Sequence, residues 1–280
     1  MTSTTPEISF IGYATIDVNI APKNSSVLPG GAAYFASLAA SRIIKPVGLI
    51  TRVGSDYNSS FLLNNVLSEG VKVIPDGKTA KSTLTYFSES DTTNRDISVE
   101  WGVAEFLIGD DIPREWLSFL KIIHIATMIP SQQYVILEYI KKCVPQAIIS
   151  IDTDSFLLNN EQNIAIIRKS FEQSDIVFAN RREYEILAET IEGRPEAIVK
   201  MDKDGAIYMQ NGKIVASSRA NDVKTVDVTG AGDIFAGTFL AYRHLEFSAQ
   251  EALDRATNIA TASITKKGIT HLFKEEYGRK

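Results

Sequence analysis

The sequence predicts an α/β protein, a doubly wound and mostly parallel sheet flanked by helices. Three observations carry this. From residue 121 onward, short β-branched apolar runs alternate with longer helical patterns, and repeated β–α alternation implies parallel strands covered on both faces. The N-terminal part begins the same way, with an apolar run at 8–14 and a small-residue helical stretch at 32–42. Near the other end, a β-branched run at 224–228 leads through a glycine-punctuated turn into an apolar helix at 233–245.

In chain order, the first strand at 8–14 is followed by a hairpin over 16–28 that turns at 23–26. A helix is expected at 32–42, a strand at 46–53, a turn at 54–56 and a helix at 61–68 stopped by Gly70. Residues 82–88 and 96–101 read as an antiparallel pair across 91–94. Strand–helix pairs follow at 122–126 and 132–142, at 147–151 and 162–171, and at 175–179 and 181–188. Strands at 197–201, 206–209 and 213–216 come next, the last two joined by Asn211-Gly212. Two helices close the chain, at 233–245 and 249–263.

At 280 residues the chain suits one large α/β domain or two ordinary ones. It has no internal repeat, low-complexity tract or long linker, so 1–280 is expected to be a single domain. A net charge of −5 makes nucleic acid a poor partner. Cys143 stands alone, which excludes a disulfide framework and a multi-cysteine metal site. Three dispersed histidines argue against a catalytic zinc. There is no signal-peptide core at 1–7 and no run long enough to span a bilayer, so a cytoplasmic protein, monomer or homodimer, is expected.

The chemistry concentrates at Asp227-Val228-Thr229-Gly230-Ala231-Gly232-Asp233. A glycine-rich turn feeding a helix leaves free N–H groups and the positive end of the helix dipole on one patch, which suits a phosphate. Asp233 would repel an anion at rest. It makes sense as a base that takes a proton from a hydroxyl attacking a phosphoryl group, with Gly230, Ala231 and Gly232 stabilising the developing charge. A helix cap is the competing reading of the same residue. There is no Gly-Lys-Ser/Thr, so the turn is not a Walker P-loop, and Gly-Ala-Gly-Asp-Ile-Phe is not a dinucleotide fingerprint.

This stretch resembles the signature of the ribokinase-like (PfkB) family of sugar and nucleoside kinases, Asp-Thr-x-Gly-Ala-Gly-Asp before an apolar helix. Val228 stands in place of its first Thr. The resemblance implies a catalytic base at Asp233, an anion hole from Gly230 to Gly232, ATP and Mg2+ as cofactors, and a small β lid built from about 15–29 and 82–101. Other motifs follow in the family's order. Asp17 suits hydroxyl binding, or a simple turn. Gly30-Gly31 followed by small residues resembles the family's first signature, with Phe35 where an Asn is usual. Arg95 on the second lid hairpin is a candidate substrate contact, or an ordinary exposed arginine.

Asn180-Arg181-Arg182-Glu183 matches the family's Asn-x-x-Glu, which orders Mg2+-bound water, although the same spacing is a capping box. In Lys200-Met201-Asp202-Lys203-Asp204-Gly205 only Gly205 matches the family's phosphate-facing Thr-x-Gly-x-x-Gly, and Lys200 is a candidate replacement contact. Asp227 and Thr229 match positions that bind a monovalent cation such as K+ in some members, while Leu272 offers no polar ligand. The expected activity is ATP-dependent phosphotransfer to a sugar, polyol, cyclitol or nucleoside hydroxyl. The replacement at Phe35 points to a cyclitol or nucleoside rather than ribose or fructose. The competing class is a non-catalytic sugar sensor that kept the fold.

Overall fold

The computed structural model describes residues 5–62, 65–88 and 95–268. In chain order its strands are β1 (Ile8–Ile11), β2 (Thr15–Ile20), β3 (Ser25–Gly30), β4 (Val47–Gly54), β5 (Val66–Leu67), β6 (Val71–Ile74) and β7 (Ala80–Tyr86). They continue as β8 (Arg95–Glu100), β9 (Ile122–Ile125), β10 (Ile148–Ile151), β11 (Ile176–Asn180), β12 (Glu196–Lys200), β13 (Ala206–Gln210) and β14 (Lys213–Ser218). The helices are α1 (Ala32–Ser41), α2 (Pro130–Cys143), α3 (Glu161–Glu172), α4 (Arg181–Glu192), α5 (Ala231–His244) and α6 (Ala249–Ser263).

Among the described residues, ten strands form the main sheet in the order β14-β13-β12-β11-β10-β9-β1-β4-β5, with β6 also paired to β4. From β12 to β6 every pairing is parallel, and β13 and β14 are added antiparallel at one edge. Successive side chains leave a strand on opposite faces. Ile8, Phe10, Ile176, Phe178 and Ile198 therefore pack under α1, α5 and α6, while Ile11, Ile123, Ile151 and Val177 pack under α2, α3 and α4. The small-residue composition of α1 has a specific cause: α5 crosses it so closely that a Cβ on Gly237 would stand 2.1 Å from the Ala36 carbonyl oxygen.

A second, four-stranded sheet has the order β3-β2-β7-β8. Its β2–β3 hairpin turns at Pro22-Lys23, where Ala21 and Asn24 exchange backbone hydrogen bonds of 2.8 and 3.3 Å. That is earlier than the predicted 23–26, because proline favours the first central position of a tight turn. β2 runs parallel to β7, which joins the two hairpins into one layer.

Two predicted elements are corrected. The helix expected at 61–68 is instead a 3-10 turn at Ser59–Phe61, the edge strand β5 and a second 3-10 turn at Ser68–Gly70. The chain lies hard against β4 here: a Cβ on Gly70 would meet the Leu49 carbonyl oxygen at 2.2 Å. β6, which the sequence reading did not identify, then pairs with Thr51–Gly54 of β4. The strand expected at 224–228 has no strand partner among the described residues. Val226 and Asp227 both donate their N–H to the Ile264 carbonyl beyond α6, at 2.7 and 3.2 Å, so a helix end replaces a neighbouring strand.

Candidate active site

Parallel strands present their carboxyl ends on one edge of the sheet, where α/β proteins place their chemistry. Asp152 follows β10, Asn180 ends β11 and Lys200 ends β12, so three neighbouring strands deliver polar side chains to that edge. The N-terminus of α5 comes to the same place. Gly230 precedes α5 in the left-handed region, φ 73°, which favours glycine. A Cβ there would also stand 2.4 Å from the Phe35 ring. The cap position of α5 is Gly230 rather than Asp233, and among the described residues no side-chain capping hydrogen bond is made there.

Asp233 lies half-buried in the first turn of α5. Burial pushes its pKa up to about 7. The neighbouring Asp152 adds to this, and Lys200 opposes it. Lys200 Nζ makes a 2.6 Å ion pair with Asp152 Oδ2, whose side chain is 2% exposed. Burial depresses the Lys200 pKa, but Asp152 and Glu183 more than offset this and leave it raised. The same ammonium lies 3.2 Å from where a Gly232 Cβ would stand. Lys200 therefore rests on the glycine turn itself.

The Asn180–Glu183 spacing forms a capping box. Asn180 Oδ1 accepts from Glu183 N at 3.0 Å, and Glu183 Oε2 accepts from Asn180 N at 2.7 Å. Ser155 Oγ also donates to Glu183 Oε1 at 3.0 Å. Glu183 is 1% exposed, and burial raises its pKa to about 7 against the pull of Lys200. A cap alone needs no such burial beside a lysine and two further acids.

Gly205 has a backbone requirement: its φ is 98°, and a Cβ would stand 1.9 Å from the Ser218 carbonyl oxygen. Its place is the turn between β12 and β13.

Phe35, which lies against Gly230, also lines a pocket together with Asp17, Asn19, Leu28, Thr229 and Gly268. Asp17 is almost fully buried and accepts a 2.6 Å hydrogen bond from Thr15 Oγ1. Burial raises its pKa to about 6. Gly30 makes room for it, since a Cβ there would fall 1.9 Å from Asp17 Oδ2. Gly31 has φ 102° and lets the chain pass the Tyr13 carbonyl. Tyr34 is not part of this wall: its hydroxyl donates to the Phe61 carbonyl at 2.9 Å.

Asp227 Oδ1 accepts from Thr229 N at 3.0 Å, and its Oδ2 accepts from Gly268 N at 3.2 Å. It thus ties the turn to the end of the described chain. The Arg95 side chain and Leu272 lie outside the described residues.

The structure therefore gathers two groups at the glycine turn: Asp17, Phe35, Asp227 and Thr229 line one pocket, with Phe35 against Gly230, and Asp152, Glu183, Lys200 and Asp233 interact with one another, with Lys200 against Gly232. Asp152 and Ser155 escaped the sequence reading. The available signal was an acid directly beyond the apolar run 147–151, at the end of a parallel strand.

The profile of the pfkB family carbohydrate kinases matches residues 4–275. A cytidine kinase of Thermococcus kodakarensis is 28% identical over 274 residues, covering 90% of this chain and 95% of that protein. A 5-dehydro-2-deoxygluconokinase of Clostridium perfringens is 26% identical, covering 78% and 72%. Among solved structures, an E. coli protein described as a Ribokinase II in complex with ATP and Mg2+ superposes with TM-score 0.81, at 23% identity and 95% coverage of both chains. A nucleoside kinase of Methanocaldococcus jannaschii gives TM-score 0.79 at 18% identity, covering 95% and 94%; at such identities these likenesses concern the fold. With the profile spanning nearly the whole sequence, the chain belongs to the pfkB family of carbohydrate kinases and is a sugar or nucleoside kinase of that family.

Proposed function

We propose that this enzyme transfers the γ-phosphoryl group of ATP to a hydroxyl of a nucleoside, or of a cyclitol of similar size, with Asp233 as general base. The observation that carries the reading is the placement of Asp233 in the first turn of α5, with Phe35 of the Asp17 pocket against Gly230 and the Lys200 ammonium against Gly232. Asp17 accepts hydrogen bonds from the acceptor's hydroxyls. The Phe35 ring offers an apolar face on which a nucleobase or a cyclitol ring can stack. Asp233 accepts the proton of the attacking hydroxyl, and the N–H groups at the start of α5 stabilise charge on the phosphoryl oxygens.

The residues present fit a nucleotide that brings its own Mg2+. One ammonium, Lys200, interacts with three carboxylates, Asp152, Glu183 and Asp233, so an added triphosphate needs a cation with it. The donors are oxygens, which Mg2+ prefers, and it retains several waters. Asn180 and Glu183 would hold such an ion through water. When bound, Mg2+ neutralises phosphate oxygens in the transition state.

A nucleoside is preferred over a free sugar for a further reason. Next to the Asp17 pocket lies a second one lined by Asn19, Ser26, Leu28, Tyr86, Val226 and Lys267. It shares Asn19, Leu28 and Asp227 with the first, so a two-ring acceptor can reach from one into the other. The cytidine kinase relative supports this reading. The test is ATP consumption with cytidine, other nucleosides, cyclitols, ribose and fructose, in wild type and Phe35→Asn. The expected result is the highest kcat/KM for a nucleoside or cyclitol, and a shift of the ranking toward ribose in Phe35→Asn. A wild-type preference for ribose or fructose refutes the acceptor assignment.

A further inference from the structure

Asp152 belongs to none of the motifs that led to the site, yet its side chain is 2% exposed and holds the lysine beside the glycine turn. We propose that Asp152 is a positioning residue for phosphoryl transfer: it pins the Lys200 ammonium against Gly232, so that a fixed cation stands beside the anion hole throughout the reaction. The proposal rests on the phosphotransfer reading above.

Asp152 is itself held on several sides. Its N–H donates to the Ile125 carbonyl at 3.2 Å, and its own carbonyl accepts from Gln133 Nε2 at 2.8 Å. Gln133 is 1% exposed and also donates to the Ala126 carbonyl at 3.1 Å. Asp152 Oδ1 accepts from Thr153 N at 2.9 Å, leaving Oδ2 for Lys200 at 2.6 Å. The lysine stem runs along Gly232, with Nζ, Cδ and Cε at 3.2, 3.8 and 3.9 Å from the position of a Cβ there. A larger residue at 232 would press on the lysine.

A buried ion pair is weak evidence of stabilisation, because a well-packed apolar pair of similar volume often serves as well or better. What an apolar pair cannot supply is a placed charge. An unanchored lysine carries large rotamer entropy, and ordering it in advance removes that cost from the chemical step. In that step the acceptor hydroxyl gives its proton to Asp233 as its oxygen bonds to the γ-phosphorus. The bond from that phosphorus to the bridging oxygen breaks, and its electron pair leaves with the diphosphate. Lys200 stays protonated throughout and neither gains nor loses a bond.

The test is a double-mutant cycle of Asp152→Asn, Lys200→Gln and both together. It is read as kcat at saturating substrates and as the affinity for a non-hydrolysable ATP analogue by calorimetry. Lys200→Gln is expected to lower kcat by about 10²–10³, the loss typical of one group that stabilises developing charge. Asp152→Asn is expected to lower kcat at least roughly tenfold. The double variant should be no worse than Lys200→Gln alone in either readout, because Asp152 acts through the lysine. Losses that multiply in the double variant overturn the proposal, and so does wild-type kcat in Asp152→Asn. If Lys200→Gln does not fold, Asp152→Asn alone decides by the same criterion. If wild type consumes no ATP with any acceptor, the phosphotransfer reading has failed, and the additivity of analogue binding still judges the pinning of Lys200.

Discussion

Replacing Asp233 by asparagine separates chemistry from stability in a way the structure makes quantitative. The carboxyl has a pKa raised to about 7 by burial and by Asp152. An acid whose pKa is higher folded than unfolded binds more protons in the native state between the two values. Stability therefore falls as pH rises through that window, from the ordinary carboxylate range to about 7. Asp233→Asn removes this cost, so at pH 8 its Tm should equal or exceed that of wild type. Activity should move the other way, because a general base contributes roughly 10²–10⁴ in rate.

The wild-type rate should itself report the base. With a pKa about 7, the ionised fraction rises roughly tenfold between pH 6 and 8, and kcat/KM should follow. Glu183 titrates in the same region, so the profile is also measured in Glu183→Gln, where the same limb should persist. The assay is coupled ADP release at saturating Mg2+. If Asp233→Asn keeps more than about a tenth of the wild-type kcat, or the wild-type profile is flat from pH 6 to 8, Asp233 is not the base.

Glu183→Gln should raise the Mg2+ concentration for half-maximal rate and lower Tm only modestly, since Gln also serves in a capping box; an unchanged Mg2+ titration leaves Glu183 a cap alone. Gly30→Ala drives a Cβ into the Asp17 carboxylate. Loss of a hydrogen bond to a charged group costs about 1.5–3 kcal/mol, so KM for the acceptor should rise roughly 10- to 150-fold with KM for ATP unchanged. Because the Asp17 pKa is raised to about 6, acceptor KM should also climb as pH falls below 6 and this carboxylate is protonated; an acceptor KM independent of pH from 5 to 8 argues against Asp17 as the hydroxyl acceptor. Gly230→Ala should lower Tm because its Cβ meets the Phe35 ring. Combined with Phe35→Ala, it should be less destabilising than the sum of the two single changes by about 1 kcal/mol or more, as contacting residues couple.

The sequence by itself determined the repeated β–α order and the helix at 249–263 to the residue, and it singled out Phe35, Lys200 and Asp233, which the structure brings to the glycine turn. Apolar periodicity and glycine-rich turns are local properties, readable wherever one element buries one face. It could not place β5 and β6, whose extended form depends on lying against β4. It also overrated 224–228, where β-branched residues found a helix end instead of a strand. Asn-x-x-Glu at 180–183 is a cap and a buried acid at once, and only the packing of Ser155 and Lys200 around Glu183 shows the second property. Phe35 looked like a change of ligand chemistry alone, until the fold laid its ring on Gly230. Asp152 and Lys200 are 48 residues apart. Their ion pair exists because β10 and β12 end at one edge of a parallel sheet, and no local pattern records which distant side chains a shared edge will bring within 3 Å.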